Sequence, residues 1–382
     1  KMPAITRFID GSGPVWAGSM FPFLFITIAC GAVSGFHALI ASGTTPKMIE
    51  NEQHARFIGY GAMLMESFVA IMALVAASTI EPGIYFAMNS PLALLGGTAE
   101  SAAAAVGKLG FLVTPEMLAQ TARDVGEHSI ISRAGGAPTL AVGMANILAG
   151  VIGGKTMMAF WYHFAILFEA LFILTAVDAG TRAGRFMLQD LMGVFSPKLK
   201  RTDSLPANLI ATSLCVAAWG YFLYQGVVDP LGGINTLWPL FGIANQMLAG
   251  IALILATCVL FKMKRAKYAW VTVLPTIWLL LCTLTAGWQK IFHADVRIGF
   301  VAHANKFQAA LDQGALLAPA KTMAQMQQIV FNDYLDASLA GFFMFVVVAV
   351  LIAGVRTVLK ARGRGAPSSK ETPFVPAPMA PV

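Results

Sequence analysis

The stretch Phe21 to Pro46, FPFLFITIACGAVSGFHALIASGTTP, is apolar enough to cross a bilayer and yet is broken in its middle. Phe21 to Ala29 suits one half-helix, and Phe36 to Ala41 begins another. Between them, Cys30-Gly31-Ala32-Val33-Ser34-Gly35 is a run of small residues that tolerates unwound backbone and frees amide groups from intrahelical pairing. Inside a membrane such backbone persists only where protein or a water-filled cavity satisfies it, and discontinuous helices of this kind frame mid-membrane binding sites. The break is therefore expected to be half of a substrate site.

Other apolar runs place the chain in a bilayer. Phe57–Ile80, Thr156–Asp178, Ala207–Gln225, Leu237–Phe261, Tyr268–Trp288 and Ala337–Val355 each read as a span, giving an all-α polytopic protein of about seven transmembrane helices, one of them discontinuous. Only 12% of residues are charged, against about 25% in soluble domains. The formal charge of +7 comes from short basic clusters at span ends, a pattern that orients helices in membranes; a nucleic-acid partner is not indicated. The basic loops 41–56, 179–206 and 262–267 and the tail from 356 hold most of the Lys and Arg, which puts them and the C-terminus in the cytoplasm. Cys30, Cys215, Cys258 and Cys282 lie far apart in apolar stretches, so neither a disulfide framework nor a metal site is expected. Lys1 opens the chain without a signal-peptide pattern, and the sequence reads as an excerpt of a longer one.

Between the spans, residues 81–137 form a long connector with a helix expected over Pro115–Val125, where proline and Glu116 suit a first turn. Pro138–Gly153 is apolar but short, re-entrant or interfacial, or else an outward extension of the next helix. Gln289–Asp336 is a polar segment, and the tail from Gly363 is Pro- and Ser-rich and expected to be disordered.

Candidate chemistry centres on the break. The amides of Gly31 to Gly35, with Ser34 and His37, suit a small carboxylate, since freed amides at a helix N-terminus favour anions; a Gly-rich kink for tight packing is the plainer alternative. His37 suits a proton carrier or a simple hydrogen bond to backbone. Asn245 and Gln246 put two amides mid-helix, for polar packing or for substrate. Glu66 and Glu169 are intramembrane acids, costly as charges and hence candidate proton carriers, with neutral structural hydrogen bonding as the competing account. Gly59, Ala62, Ala70, Ala73 and Ala77 share the Glu66 face, which is expected to pack inside the bundle; Glu169 shares its face with Ala165 and Ala176. His163, among aromatic residues, suits interface anchoring. Asp178 and Arg182 stand four apart as a helical ion pair. The chain contains no GxxxxGK[ST], HExxH or GxSxG, so ATP-driven pumping and soluble-type catalysis are not indicated and no cofactor is expected.

Three stretches, GPVWAGSMFPFLFITIACGAVSGFHALIASGTTPKM, AVDAGTRAGRFMLQD and LWPLFGIANQMLAG, resemble the carbon starvation protein A family of bacterial inner-membrane transporters over about residues 1–356. The resemblance implies uptake of short peptides or of pyruvate, the latter with protons, and a fold like that of amino acid–polyamine–organocation transporters, with two inverted five-helix repeats. The broken span is then the first helix of the second repeat: residues 1–262 form that repeat, 263–358 add peripheral helices with the external polar segment 289–336, and 359–382 is a cytoplasmic tail. It further implies an N-terminal repeat of the same protein as partner, and makes Thr175 and Asp178 candidates for a sodium site. The expected function is proton-coupled import of a small organic substrate by alternating access; the alternative is a non-transporting membrane subunit that senses a metabolite.

Overall fold

The structure, a computed structural model, describes residues 1–28, 31, 33–229, 231 and 233–363. Ala29, Cys30 and Ala32 at the centre of the break, and the expected disordered tail from Arg364, lie outside the described residues. The chain is 75% helix, with no strand among the described residues.

The broken span is two helices, α1 (Met20–Thr27) and α2 (Gly35–Gly43), followed by a short α3 (Thr45–Met48). Ser34 caps α2, its hydroxyl accepting from the His37 amide at 3.3 Å. Helix α4 (His54–Thr79) follows, and then a group of shorter helices: α5 (Pro82–Asn89), α6 (Leu92–Leu95), α7 (Ala99–Lys108), α8 (Pro115–Val125) and α9 (Gly136–Val151). Helix α8 has the expected bounds because both of its signals operate: the Thr114 hydroxyl accepts from the Met117 amide, and Gly126 stops the helix in the left-handed conformation. The chain continues through α10 (Met158–Met192), α11 (Leu205–Val228), α12 (Gly233–Lys262), α13 (Trp270–Phe292), α14 (Phe300–Asp312) and α15 (Met323–Gly363). Helices α4, α10, α11, α12, α13 and α15 are long and apolar enough to cross a membrane.

Several expectations change. The segment 138–153 does not extend the next helix: it lies in a helix of its own, α9, which ends at Val151, and Gly153 and Gly154, both at positive φ, turn the chain before α10. Helix α10 runs on through Arg182 and Arg185, residues expected in a basic loop, because no strong breaker intervenes. The polar segment 289–336 holds α14 and the first turns of α15, where Met326, Ile329, Val330 and Asp333 form one buried stripe at helical spacing.

Two packed regions result. One joins α5 to α10 around Met88, Leu118, Val142 and Tyr162. The other joins α1, α12, α13 and α15 around Phe23, Ile26, Ile243, Met247, Leu280 and Val347, so the first half of the broken span is part of it. The helices expected at the periphery, α13 and α15, pack directly against α12, and α13 also against α1.

Candidate functional site

Helix α12 meets the broken span along a face of small residues. A Cβ on Gly242 would collide with the Ile26 carbonyl, and one on Gly35 with the backbone of Asn245 and Ala249. Glycine at both positions lets backbone approach backbone, the usual route to close helix packing in lipid. That approach brings Asn245 and Gln246 to the two ends of the break. Gln246 donates from Nε2 to the Phe25 carbonyl at 2.5 Å, and Asn245 accepts at Oδ1 from the Phe36 amide at 2.8 Å. Phe25 offers one of the last carbonyls of α1 and Phe36 one of the first amides of α2, groups that a helix leaves unpaired. Two adjacent side chains on one helix thus cap both halves of another.

The capping narrows what the α2 N-terminus can offer an anion. The Phe36 amide is taken by Asn245 and the His37 amide by Ser34. Each clamp residue, however, keeps an atom in reserve: Asn245 Nδ2, a donor, and Gln246 Oε1, an acceptor, are buried without a hydrogen-bond partner among the described residues. The residues themselves are 5% and 0% exposed. The bonds made to Phe36 and Phe25 fix which amide atom is free, because an N–H must meet an oxygen and a carbonyl must meet an N–H.

The other expected site residues are distributed unevenly. Gly31 and His37 are exposed, Ser34 is half-buried, and Gly35 is buried against α12. Glu66 is exposed on α4, together with every residue from Ala62 to Met72, so its face has no packing partner among the described residues. Helix α4 meets α9 near its C-terminal end, where Gly143 admits the Ala76 carbonyl, while the small residues around Glu66 are exposed among the described residues. Glu169 is half-buried; of its expected neighbours, Ala165 is buried and Ala176 exposed. It stands about 16 Å along α10 from Gly180, where α10 receives the Phe36 ring of α2. The Thr175 hydroxyl donates to the Phe172 carbonyl at 2.6 Å, and Asp178 pairs with Arg182 at 2.9 Å, which is the simpler of the two readings of that pair. The exposed His163 ring bonds the Ala159 carbonyl through Nδ1 at 2.7 Å. Among the described residues no cluster of His, Cys, Asp and Glu has the arrangement of a metal site.

Sequence reasoning missed a buried cation against the first half-helix, α1. Lys290 on α13 is 5% exposed, and its Nζ lies 5.2, 5.5 and 5.8 Å from the ring centres of Trp16, Phe23 and Phe300. Aromatic faces attract a cation electrostatically, which offsets part of its desolvation. The signal available was position: Lys290 follows directly on an apolar run, as a residue inside the membrane boundary would.

Residues 1–286 match the family described as Carbon starvation protein CstA. The chain belongs to that family. Among relatives, it is 69% identical over 383 residues to "Peptide transporter CstA" of Escherichia coli (strain K12), covering 99% of this chain and 54% of the relative. It is 57% identical over 401 residues to "Pyruvate/proton symporter BtsT" of the same strain, covering 99% of this chain and 56% of that protein. Against "Peptide transporter CstA" of Mycobacterium tuberculosis (strain ATCC 25618 / H37Rv) the identity is 51% over 396 residues, covering 100% of this chain and 52% of the relative. The chain therefore spans about half the length of these curated relatives. No solved structure matches it. As a CstA-family chain with several apolar membrane-length helices, it is a multi-pass membrane protein of a transporter family.

Proposed function

We propose that this chain forms the substrate-binding part of a secondary transporter that imports small organic substrates, pyruvate or short peptides, by proton symport with alternating access. The observation that carries the reading is the double clamp: Asn245 and Gln246 hold the two ends of a broken helix and, among the described residues, still keep one buried donor and one buried acceptor unused. An unsatisfied buried polar atom costs about 1–3 kcal/mol, and a ligand seated at the break removes that cost. A carboxylate or carbonyl oxygen meets Asn245 Nδ2, and an N–H or O–H meets Gln246 Oε1. A short peptide supplies both kinds of group; pyruvate supplies the acceptor and leaves Gln246 to water.

In this proposal Gly31, Ser34, Gly35 and His37 border the substrate, and Glu169, about 16 Å along α10 from that helix's contact with α2, carries a proton. Glu66, exposed on α4, faces the rest of a relative-length protein, whose other repeat supplies the second wall of the cavity. Thr175 and Asp178 would serve only a sodium-coupled variant of the mechanism. Residues 1–262 act as the second of two inverted repeats and 263–358 as its flanking helices, in a bacterial inner membrane with the C-terminus in the cytoplasm.

The test is uptake of labelled pyruvate and of a labelled dipeptide by proteoliposomes holding the protein, with and without a proton gradient. Gradient-dependent accumulation of either supports the proposal. Binding without any accumulation would overturn it in favour of a sensor.

A further inference from the structure

Away from the break, four titratable side chains gather where α11, α12, α14 and α15 meet. Asp229, at the end of α11, is 7% exposed; its Oδ2 accepts from Asn332 Nδ2 of α15 at 2.7 Å, and its Oδ1 accepts from the Leu231 amide at 2.8 Å. Asp333, the next residue on α15, is 5% exposed, and its Oδ2 lies 2.6 Å from Nδ1 of His303 on α14. One turn further, Asp336 is 6% exposed and lies within electrostatic reach of both Asp333 and Asp229. Among the described residues it makes no hydrogen bond and no ion pair.

The charge balance of this cluster is one-sided. Three buried carboxyl groups face one imidazole. From α13 the charged side chain is Lys290, which is committed to the rings of Trp16, Phe23 and Phe300. From α14, beyond His303, Lys306 is exposed. The charged residue of α12, Lys262, sits at its opposite end. Asp229 has two neutral donors and Asp333 an imidazole, so both have groups that support a carboxylate. Asp336 has none, and an isolated buried carboxylate is far costlier than its neutral acid.

We propose that Asp336, backed by the Asp333–His303 pair, is a proton-binding site whose occupancy sets how α15 holds the α11–α12 corner through Asn332 and Asp229. The site takes a proton from the aqueous phase as carboxylate becomes carboxylic acid, and returns it when a conformational change readmits water. Helix α12 connects it to the break, since Asp229 stands at the corner from which α12 runs to Asn245 and Gln246. This inference rests on the transporter reading, and it places a coupling proton outside both intramembrane glutamates.

Proteoliposomes holding wild-type protein or Asp336→Asn are compared for gradient-driven accumulation and for substrate exchange without a gradient. With one proton carried per substrate, a one-unit pH gradient supports about tenfold accumulation. Asp336→Asn is expected to lose that accumulation, keep exchange, and show exchange that no longer varies with pH. Should it lose exchange as well, Asp336→Glu is read instead: recovered accumulation with a shifted pH midpoint supports the site, and continued loss overturns it. Accumulation by Asp336→Asn with wild-type pH dependence overturns the inference while leaving the transporter reading intact. A wild type that never accumulates substrate sinks the transporter reading itself. Accumulation driven by sodium and indifferent to pH, lost in Asp336→Asn, overturns the proton assignment.

Discussion

Gln246 reaches across 221 positions of sequence to hold the carbonyl of Phe25, while its neighbour Asn245 holds the amide of Phe36. The two bonds bracket the discontinuity and tie both half-helices to one rigid partner, α12. Neither half-helix is long enough to be stable by itself; isolated helices shorter than about 12–15 residues are marginal.

Replacing Gln246 by Met leaves the Phe25 carbonyl without its donor, and replacing Asn245 by Ala leaves the Phe36 amide without its acceptor. Each substitution is expected to cost about 1–3 kcal/mol. Because both residues secure the same break, the double variant should lose less than the sum, with a coupling of about 0.5 kcal/mol or more. Thermal unfolding in detergent, run as a double-mutant cycle, measures this.

Gly35→Ala and Gly242→Ala place a methyl group where backbone of the neighbouring helix already lies. Overpacking of this kind costs about 1–3 kcal/mol. Gly31→Ala meets open space and should be near neutral. The same melting experiment separates them, and equal effects at all three positions would contradict the close approach at Gly35 and Gly242.

Lys290→Met should leave the unfolding midpoint unchanged or raise it, because methionine keeps the contact with Trp16, Phe23 and Phe300 and removes a buried charge. Lys290→Ala loses the contact too and should lower the midpoint. If Met is the more damaging of the two, the ammonium itself is required.

The loop after α13 has an acid dependence of its own. Side-chain and backbone hydrogen bonds with Arg297 hold the Asp295 carboxyl down at about 2, below its ordinary 3.8. A carboxyl depressed by folding stabilises the folded state above its ordinary range, and that contribution is lost as pH falls through the folded value. The advantage of wild type over Asp295→Asn should therefore be constant above about pH 5 and shrink as pH falls towards 2. Melting midpoints of the two proteins across that window test it; an advantage that grows on acidification would contradict the pairing.

The break was readable because glycine, serine and alanine in the middle of an apolar run carry a direct backbone consequence. The partner of the break was readable only in part: Asn245 and Gln246 stand out as amides inside a span, but whether they serve packing or ligand depends on what lies across from them, which one chain's local pattern does not contain. Glu66 shows the converse. Its small-residue face has the spacing of a packed surface, yet among the described residues α4 packs against α9 near its C-terminal end and leaves the Glu66 face exposed, and spacing carries no information about which surface answers it. Asp229, Asp333 and Asp336 escaped attention because they lie at span edges or in a segment that reads as polar loop, where acids are ordinary. Their burial comes from α14 folding against α15, a tertiary event with little local signature.

Helix α15 contains 41 residues and no proline. At 1.5 Å per residue it measures about 61 Å, twice the hydrocarbon thickness of a bilayer. One uninterrupted rod therefore carries Asp333 and Asp336 near one end and Lys360 and Arg362 at the other. Gly341 and Gly354 are its interior glycines, and Gly354 is held where Ile254 of α12 packs against it, so the acid-bearing end and the basic end belong to one continuous helix braced part-way along by α12.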